Sequence, residues 1–350
     1  MQWISSWRTA PGLPRRLATA LLFGLSGGAV QACDVTTPTN VVVGNFSPAA
    51  IKAAAVPYTS TKGGFSCASA NVLTLLSGNF LRATVDSAAV LQLTSGSNSV
   101  SYKLYADANG ANELKPGTST FYFNGTVLNL LNLFGNGAID VPVYFKLSSA
   151  DFVPPGTYTG SFSVQWEWLF CSGIGLLGAC VGTLDQGNKP ATVNVTLIVQ
   201  PKPPTVAVTI GPTSWNIVEG TTNPKAIPGA KRRMNLTITN PDIVPVEANT
   251  LHVVLPTPAN MVVALDGDGT SSTVTQTSEG SPASTLTLSY ASAGSTTDNV
   301  DFSTDGQGWS YAPTAGNAAS QATVSHVRFR PQGTMVPGSS YTITMPYSVK

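Results

Sequence analysis

Past its first 32 residues the chain alternates apolar and polar positions with a period of two, and almost nowhere with the 3.6-residue period of a helix. Residues 89–94 (AVLQLT), 100–105 (VSYKLY), 139–145 (IDVPVYF), 157–166 (TYTGSFSVQW) and 191–199 (ATVNVTLIV) each carry this alternation, with Gly, Pro, Asn, Asp and Ser between them. Six more runs follow at 205–210, 234–239, 251–255, 284–290, 324–329 and 341–349. Period-two alternation places one side-chain face on a core and the other in water, so the pattern predicts antiparallel sheets. Only residues 49–55 (AAIKAAA) read as a short helix.

The pattern divides the chain. Residues 200–204 (QPKPP) break the alternation with three prolines, which favour an extended, stiff spacer. The expected fold class is all-β, with two immunoglobulin-like antiparallel β-sandwich domains. The expected boundaries are a cleaved leader at 1–32, a first sandwich at 33–200, a linker at 201–204 and a second sandwich at 205–350. The two halves do not align with each other. The polar stretch 266–280 is expected to be a mobile surface loop.

Two segments depart from the alternation. Residues 127–137 (VLNLLNLFGNG) and 169–182 (LFCSGIGLLGACVG) are apolar, punctuated by glycine, and contain no Lys, Arg, Asp or Glu. Neither reaches the length of about 20 apolar residues that a membrane-spanning helix needs. Folded inward they are a lid on the core; left at the end of a sandwich they form a contact patch. The glycine spacing at 173–178 favours the patch, because filling a core does not require so many glycines. Leu130, Leu131, Leu133, Phe134, Ile174, Leu176 and Leu177 are the expected contact residues. Burying Ile174, Leu176 and Leu177 on an apolar partner would contribute on the order of 1.5–3 kcal/mol each.

Residues 1–32 have the layout of a secretory leader, with Arg8, Arg15 and Arg16 ahead of an apolar run at 17–30 and small residues, Val30 and Ala32, before Cys33. Its removal takes three arginines and no acids from a net charge of +1, leaving 1 − 3 = −2. That balance argues against a phosphate-binding surface, and with it against nucleic acid as a partner. Lys231, Arg232 and Arg233 form the one basic cluster, expected at a solvated strand edge. No transmembrane segment is expected in the mature chain.

Export places Cys33, Cys67, Cys171 and Cys180 in an oxidising space. Four cysteines permit three pairings. Cys33–Cys67 and Cys171–Cys180 are preferred, because the second closes a short loop and the first ties the mature N-terminus to a nearby strand. Acylation of Cys33 is the alternative. Metal binding is not expected, since no Cys-x-x-Cys spacing or neighbouring His supports it, and no cofactor is implied.

Catalysis has little to work with. His252 and His326 fall within strand-like runs, no serine sits in a Gly-x-Ser-x-Gly context, and the acids are dispersed. Residues 265–270 (LDGDGT) resemble part of a calcium loop but lack the further ligands and the closing Glu, so a turn is expected there. Trp166 and Trp168 share a strand face with Tyr158 and Phe162, which reads as core and otherwise as a stacking platform for carbohydrate.

From about Cys67 to Val199 the chain resembles the spore coat protein U family, which includes subunits of archaic chaperone–usher pili. Residues 100–107 (VSYKLYAD) look like the family's Y-x-L-Y-x-D strand and turn. Residues 141–146 (VPVYFK) followed by 153–162 (VPPGTYTGSF) look like its ending, with Gly160 where an Asp is usual. Cys33 and Cys67 sit where the resemblance implies a disulfide from the first strand to the second. Residues 166–180 resemble the N-terminal domain of two-domain tip adhesins, in which hydrophobic loops are implicated in sticking to apolar surfaces. The second half is similar to immunoglobulin-like repeat domains of bacterial surface proteins, on residues 223–230 (NPKAIPGA) and 300–306 (VDFSTDG) with Trp309.

These observations together lead to an exported, non-enzymatic protein of the periplasm, cell surface or medium. The first expectation is an adhesin that uses its hydrophobic loops on an apolar surface or receptor. The resemblance adds a periplasmic chaperone and other pilus subunits as partners. With no donor arm ahead of Cys33, the chain is expected at a fibre tip or outside a fibre. The second expectation is a structural subunit of a pilus or coat, with the same loops buried between subunits.

Overall fold

The computed structural model describes residues 33–68, 78–124, 139–171, 174–176 and 179–350. The elements of the first half are β1 (Cys33–Val35), β2 (Thr39–Phe46), α1 (Pro48–Lys52), β3 (Thr59–Cys67), β4 (Phe80–Val85), β5 (Gln92–Ser95), β6 (Asn98–Tyr105), β7 (Ser119–Asn124), β8 (Ile139–Leu147), β9 (Gly156–Cys171), β10 (Ile174–Leu176), β11 (Ala179–Val181) and β12 (Leu184–Val199). Those of the second are β13 (Thr205–Trp215), β14 (Lys231–Thr239), β15 (Val253–Pro256), β16 (Met261–Val263), β17 (Gln276–Glu279), β18 (Val300–Ser303), α2 (Ala318–Ala322), β19 (His326–Phe329) and β20 (Ser340–Val349). The fold is all-β. Among the described residues no helix is long and apolar enough to cross a membrane.

In the first half the strands run in the order β1-β3-β8-β6-β5-β9-β12-β2, with β4 and β7 branching from β9. Among the described residues all pairings are antiparallel except β12 with β2, which is parallel. The opening segment therefore changes partners. β1 pairs with β3 and the very next strand, β2, with β12, so one short stretch of chain joins the two ends of the sheet path. The alternation seen in the sequence becomes burial along β9, where Tyr158, Phe162, Val164, Trp166, Trp168 and Phe170 all lie in the core. Trp166 donates its indole N–H to the Gly63 carbonyl at 2.8 Å. The tryptophans are thus core side chains and offer no stacking platform.

The family-like segments have local physical roles. Asp107 accepts backbone N–H groups from Asn109, Ala111 and Asn112, so its carboxylate shapes the turn after β6. Tyr158 donates its hydroxyl to the Pro154 carbonyl at 2.8 Å, pinning the approach to β9 as a tyrosine corner does. α1 starts at Ser47, whose side chain accepts from the Ala50 amide.

The second half has its own core. One sheet runs β13-β14-β20-β16, with β17 beside β16 along β20, and faces a three-stranded sheet β15-β19-β18. Met234, Leu236, Ile238, Phe302, Phe329, Ile343 and Tyr347 fill the space between them. Residues 284–290, read from the sequence as a strand, make only an isolated bridge from Thr287 to Gln332.

The proline stretch between the halves is extended, as its composition dictates, and held at both ends. The Gln200 amide donates to the Phe46 carbonyl at 3.0 Å. The Lys202 amide donates to the Asp242 carboxylate at 2.6 Å, and the same carboxylate accepts the Ala49 amide of α1 at 3.3 Å.

Candidate binding surfaces

Strand registers bring the described residues that flank 69–77 and 125–138, and the base of the β10–β11 hairpin, to one pole of the first half. Cys33 pairs with Cys67, which pairs with Ile139; Phe80 pairs with both Asn124 and Leu169; Cys171 pairs with Leu184. The described chain thus stops and resumes at this pole on either side of 69–77 and of 125–138, and the β10–β11 hairpin leaves from it between Cys171 and Leu184. The opposite pole carries Val199 and Gly156, and the linker leaves from there. Residues 69–77 (SANVLTLLS) join the two segments singled out from the sequence as a third charge-free, apolar stretch. Freedom from charge was the signal that would have found them.

Leu130, Leu131, Leu133, Phe134 and Leu177 lie outside the described residues. Ile174 and Leu176 fall on β10, which pairs antiparallel with β11 in a separate two-stranded hairpin extending from the β9–β12 ribbon. The register pairs Gly175 with Cys180.

The described residues at this pole, the collar, are cross-linked in several ways. Cys33 and Cys67 form the expected disulfide, with their Cα atoms 3.9 Å apart. Cys171 is also disulfide-bonded. Its backbone amide donates to Asn79 Oδ1 at 2.9 Å, and Asn79 is buried. Asp185, buried on β12, accepts the Trp168 indole N–H and the Cys33 amide, each at 2.8 Å. Gly187 makes room for the first of these, since a Cβ there would meet the Trp168 ring at 2.3 Å.

A second surface lies on the other half. β13 is an edge strand whose only partner among the described residues is β14. Val206, Val208 and Ile210 pair with Ile238, Leu236 and Met234, so all six point to the same face of the sheet. The three β14 side chains are buried, but Val206, Val208 and Ile210 are 46%, 45% and 40% exposed. The facing three-stranded sheet does not reach over β13. An 11-residue strand therefore presents an apolar row and an unpaired backbone edge together.

The remaining sequence candidates resolve into structural roles. Lys231, Arg232 and Arg233 are not at a solvated edge, because β14 lies between β13 and β20. Lys231 pairs with Asp266 and Arg233 with Asp268, both at 2.8 Å, and Arg232 donates to the Gly211 carbonyl. Asp268 is buried, and burial alone would raise its pKa. Hydrogen bonds from Arg233, the Thr270 hydroxyl and the Ser271 and Thr270 amides outweigh that and hold it well below the usual carboxylate range. Its oxygens are thereby committed, so 265–270 is a turn locked by an ion pair. The stretch 266–280 is anchored as well, by buried Asp268 and Val274 and by β17, and is not a simple surface loop. His252 is exposed and precedes β15; His326 Nδ1 lies 2.8 Å from the Ser325 hydroxyl.

Comparison with known proteins finds a partial family match and distant structural likeness. The model of the Spore Coat Protein U domain matches residues 19–165. No curated protein matches the chain. Among solved structures, the chain is similar to a chaperone–tip adhesion subunit pre-assembly complex, CsuC–CsuE, from archaic chaperone–usher Csu pili of Acinetobacter baumannii. The identity is 14%, 91% of this chain and 94% of that one are covered, and the TM-score is 0.46. It is also similar to the CooA pilin subunit of enterotoxigenic Escherichia coli, at 14% identity over 49% of this chain and 99% of that one, with a TM-score of 0.29. The Spore Coat Protein U match lies wholly within the amino-terminal half of the chain and stops short of β12 and of the second core.

Proposed function

We propose that the chain is an exported, non-enzymatic subunit of a chaperone–usher type surface fibre. Its first domain contacts an apolar target through the segments at the distal pole, and its second accepts a strand along β13 from a periplasmic chaperone or a neighbouring subunit. The observation that carries this reading is the open face of β13, where Val206, Val208 and Ile210 line up on the core side and stay exposed among the described residues. An extended segment with apolar side chains at alternate positions would complete the sheet and cover that row, which is β-augmentation. The Spore Coat Protein U match on the first domain supports a fibre or coat context. The described flanks of three charge-free sequences meet at the pole opposite the linker, which supports adhesion there, because apolar residues are suited to contact.

The test uses the oxidised mature chain, residues 33–350, and a synthetic peptide of roughly ten residues alternating valine and threonine. Cooperative unfolding of the second domain should shift upward with peptide, and Val208→Lys should abolish the shift. A second domain that unfolds cooperatively and ignores the peptide would make it a self-sufficient module and remove the fibre reading. Adhesion is tested separately, by Leu176→Ser with Leu177→Ser on binding to a polystyrene surface. Loss of binding with unchanged melting supports the adhesin; loss of folding or assembly supports the reading in which these loops are buried between subunits.

A further inference from the structure

Asp185 is a buried carboxylate with two hydrogen-bond donors and no cation. Its Oδ1 accepts the Trp168 indole N–H and its Oδ2 the Cys33 backbone amide, both at 2.8 Å, and its residue is 5% exposed. Among the described residues no lysine, arginine or histidine pairs with it; Lys189, four positions along β12, pairs with Asp34. The internal stretches outside the described residues contain no basic residue at all. A buried carboxylate answered only by neutral donors is costly, and a cation with good geometry would reduce that cost.

The atom in contact with Asp185 is the one that proteolysis would charge. Cys33 is fully buried, paired in register with Cys67 and disulfide-bonded to it, so its backbone nitrogen is fixed relative to Asp185. Residues 30 and 32, Val and Ala, provide the small side chains that a leader peptidase needs before the bond to Cys33. Hydrolysis of that bond adds water, leaving a carboxylate on Ala32 and an amine on Cys33 that takes up a proton. The neutral N–H···O contact then becomes a charge-assisted one at the same two atoms.

We propose that Cys33 is the mature N-terminus and that its α-ammonium forms a buried ion pair with Asp185, available only to the processed chain. Together with the disulfide, this pair fastens β1 to β3 and β12. The same thiol cannot carry a lipid while it is bonded to Cys67. The inference rests on the reading of residues 1–32 as an exported leader, and is independent of what the distal pole binds.

The test compares the naturally exported, oxidised protein with a form that keeps one extra residue, Ala32, each with and without Asp185→Asn. N-terminal sequencing should begin at Cys33. Its α-amine should resist acetylation by an N-hydroxysuccinimide ester in the folded protein and react after unfolding. The one-residue extension should raise the unfolding constant of the first domain by about tenfold or more, and by less than about twofold in the Asp185→Asn background. A mature chain that starts elsewhere, a diacylglyceryl mass on Cys33, an α-amine that reacts freely in the fold, or an equal penalty in both backgrounds would each overturn the proposal. Should Asp185→Asn fail to fold, the protection of the α-amine decides. None of these results touches the strand-accepting face of β13, so failure here leaves the proposed function standing.

Discussion

Val208 and Leu236 are cross-strand partners on one face of the β13–β14 pair, yet Val208 is 45% exposed and Leu236 is 1% exposed. Equal chemistry in equivalent positions should therefore have unequal consequences. Leu236→Ala removes packed methyl groups and leaves a cavity, for a loss of about 2–5 kcal/mol. Val208→Ser deletes a side chain that water already reaches, for a loss of under about 1 kcal/mol in the isolated chain. Urea unfolding of the second domain checks both. Comparable losses at the two positions would mean that something covers β13 in solution.

The joint between the halves depends on one carboxylate. Asp242 is buried and accepts the amides of Ala49, Lys202 and Ile243, so it connects α1, the linker and its own turn. Asp242→Ala takes away the shared acceptor and strands those donors, at about 1–3 kcal/mol for each one left buried. The expected outcome is a broader distribution of domain separations by small-angle scattering and faster proteolysis within 200–204, with the melting of the first core unchanged. Identical scattering curves for variant and parent would show that the prolines alone fix the geometry.

The Asp268–Arg233 pair makes the second domain acid-sensitive in a defined direction. The carboxylate is held below its unfolded value of about 3.9, so its contribution is complete above that pH and is lost as pH falls through the lower, folded value. Asp268→Asn leaves Arg233 without its charge partner and should cost about 3 kcal/mol at neutral pH. The difference in melting temperature between parent and variant should shrink between about pH 4 and pH 2. A difference that stays constant down to pH 2 would assign the stabilisation to packing instead.

Much of this architecture can be read directly from residue pattern, for physical reasons that differ by element. β9 is legible because every second residue from Tyr158 to Phe170, Gly160 apart, is a large apolar side chain, and burial follows period two. The Cys33–Cys67 bridge is legible from chain order and export. Lys231, Arg232 and Arg233 mislead, because three adjacent cations suggest a solvated edge unless their partners Asp266 and Asp268, some 35 positions away in sequence, are known to fold back on them. The open face of β13 is invisible in sequence for a related reason. Residues 205–210 alternate like any buried strand, and only the reach of the facing sheet decides whether the apolar side is covered.

The Cys33–Cys67 disulfide closes a loop with a sequence separation of 34. Closing a loop of that length restricts the unfolded chain by about 4 kcal/mol in the chain-entropy account. Paired Cys33→Ser and Cys67→Ser substitutions should therefore lower the first unfolding transition and leave the second in place. Coincident loss of both transitions would show that the two cores unfold as one unit.

Gly160 stands where the resembling family usually carries Asp, and the structure gives the departure a cause. A Cβ at this position would lie 2.6 Å from the Gln92 carbonyl oxygen and 3.0 Å from a Leu93 methyl group, so β5 approaches β9 too closely for any side chain. The neighbouring register, Thr94 with Thr159, is the single pairing that ties β5 to β9. Gly160→Ala must push β5 outward or bend β9, and strain of that kind costs about 1–3 kcal/mol. Gly160→Asp adds a charge beside a carbonyl and should cost more. The first unfolding transition should fall in the order parent, Ala, Asp while the second stays fixed. An Asp variant as stable as the parent would mean that β5 is free to move away, and that the glycine is tolerated here without being required.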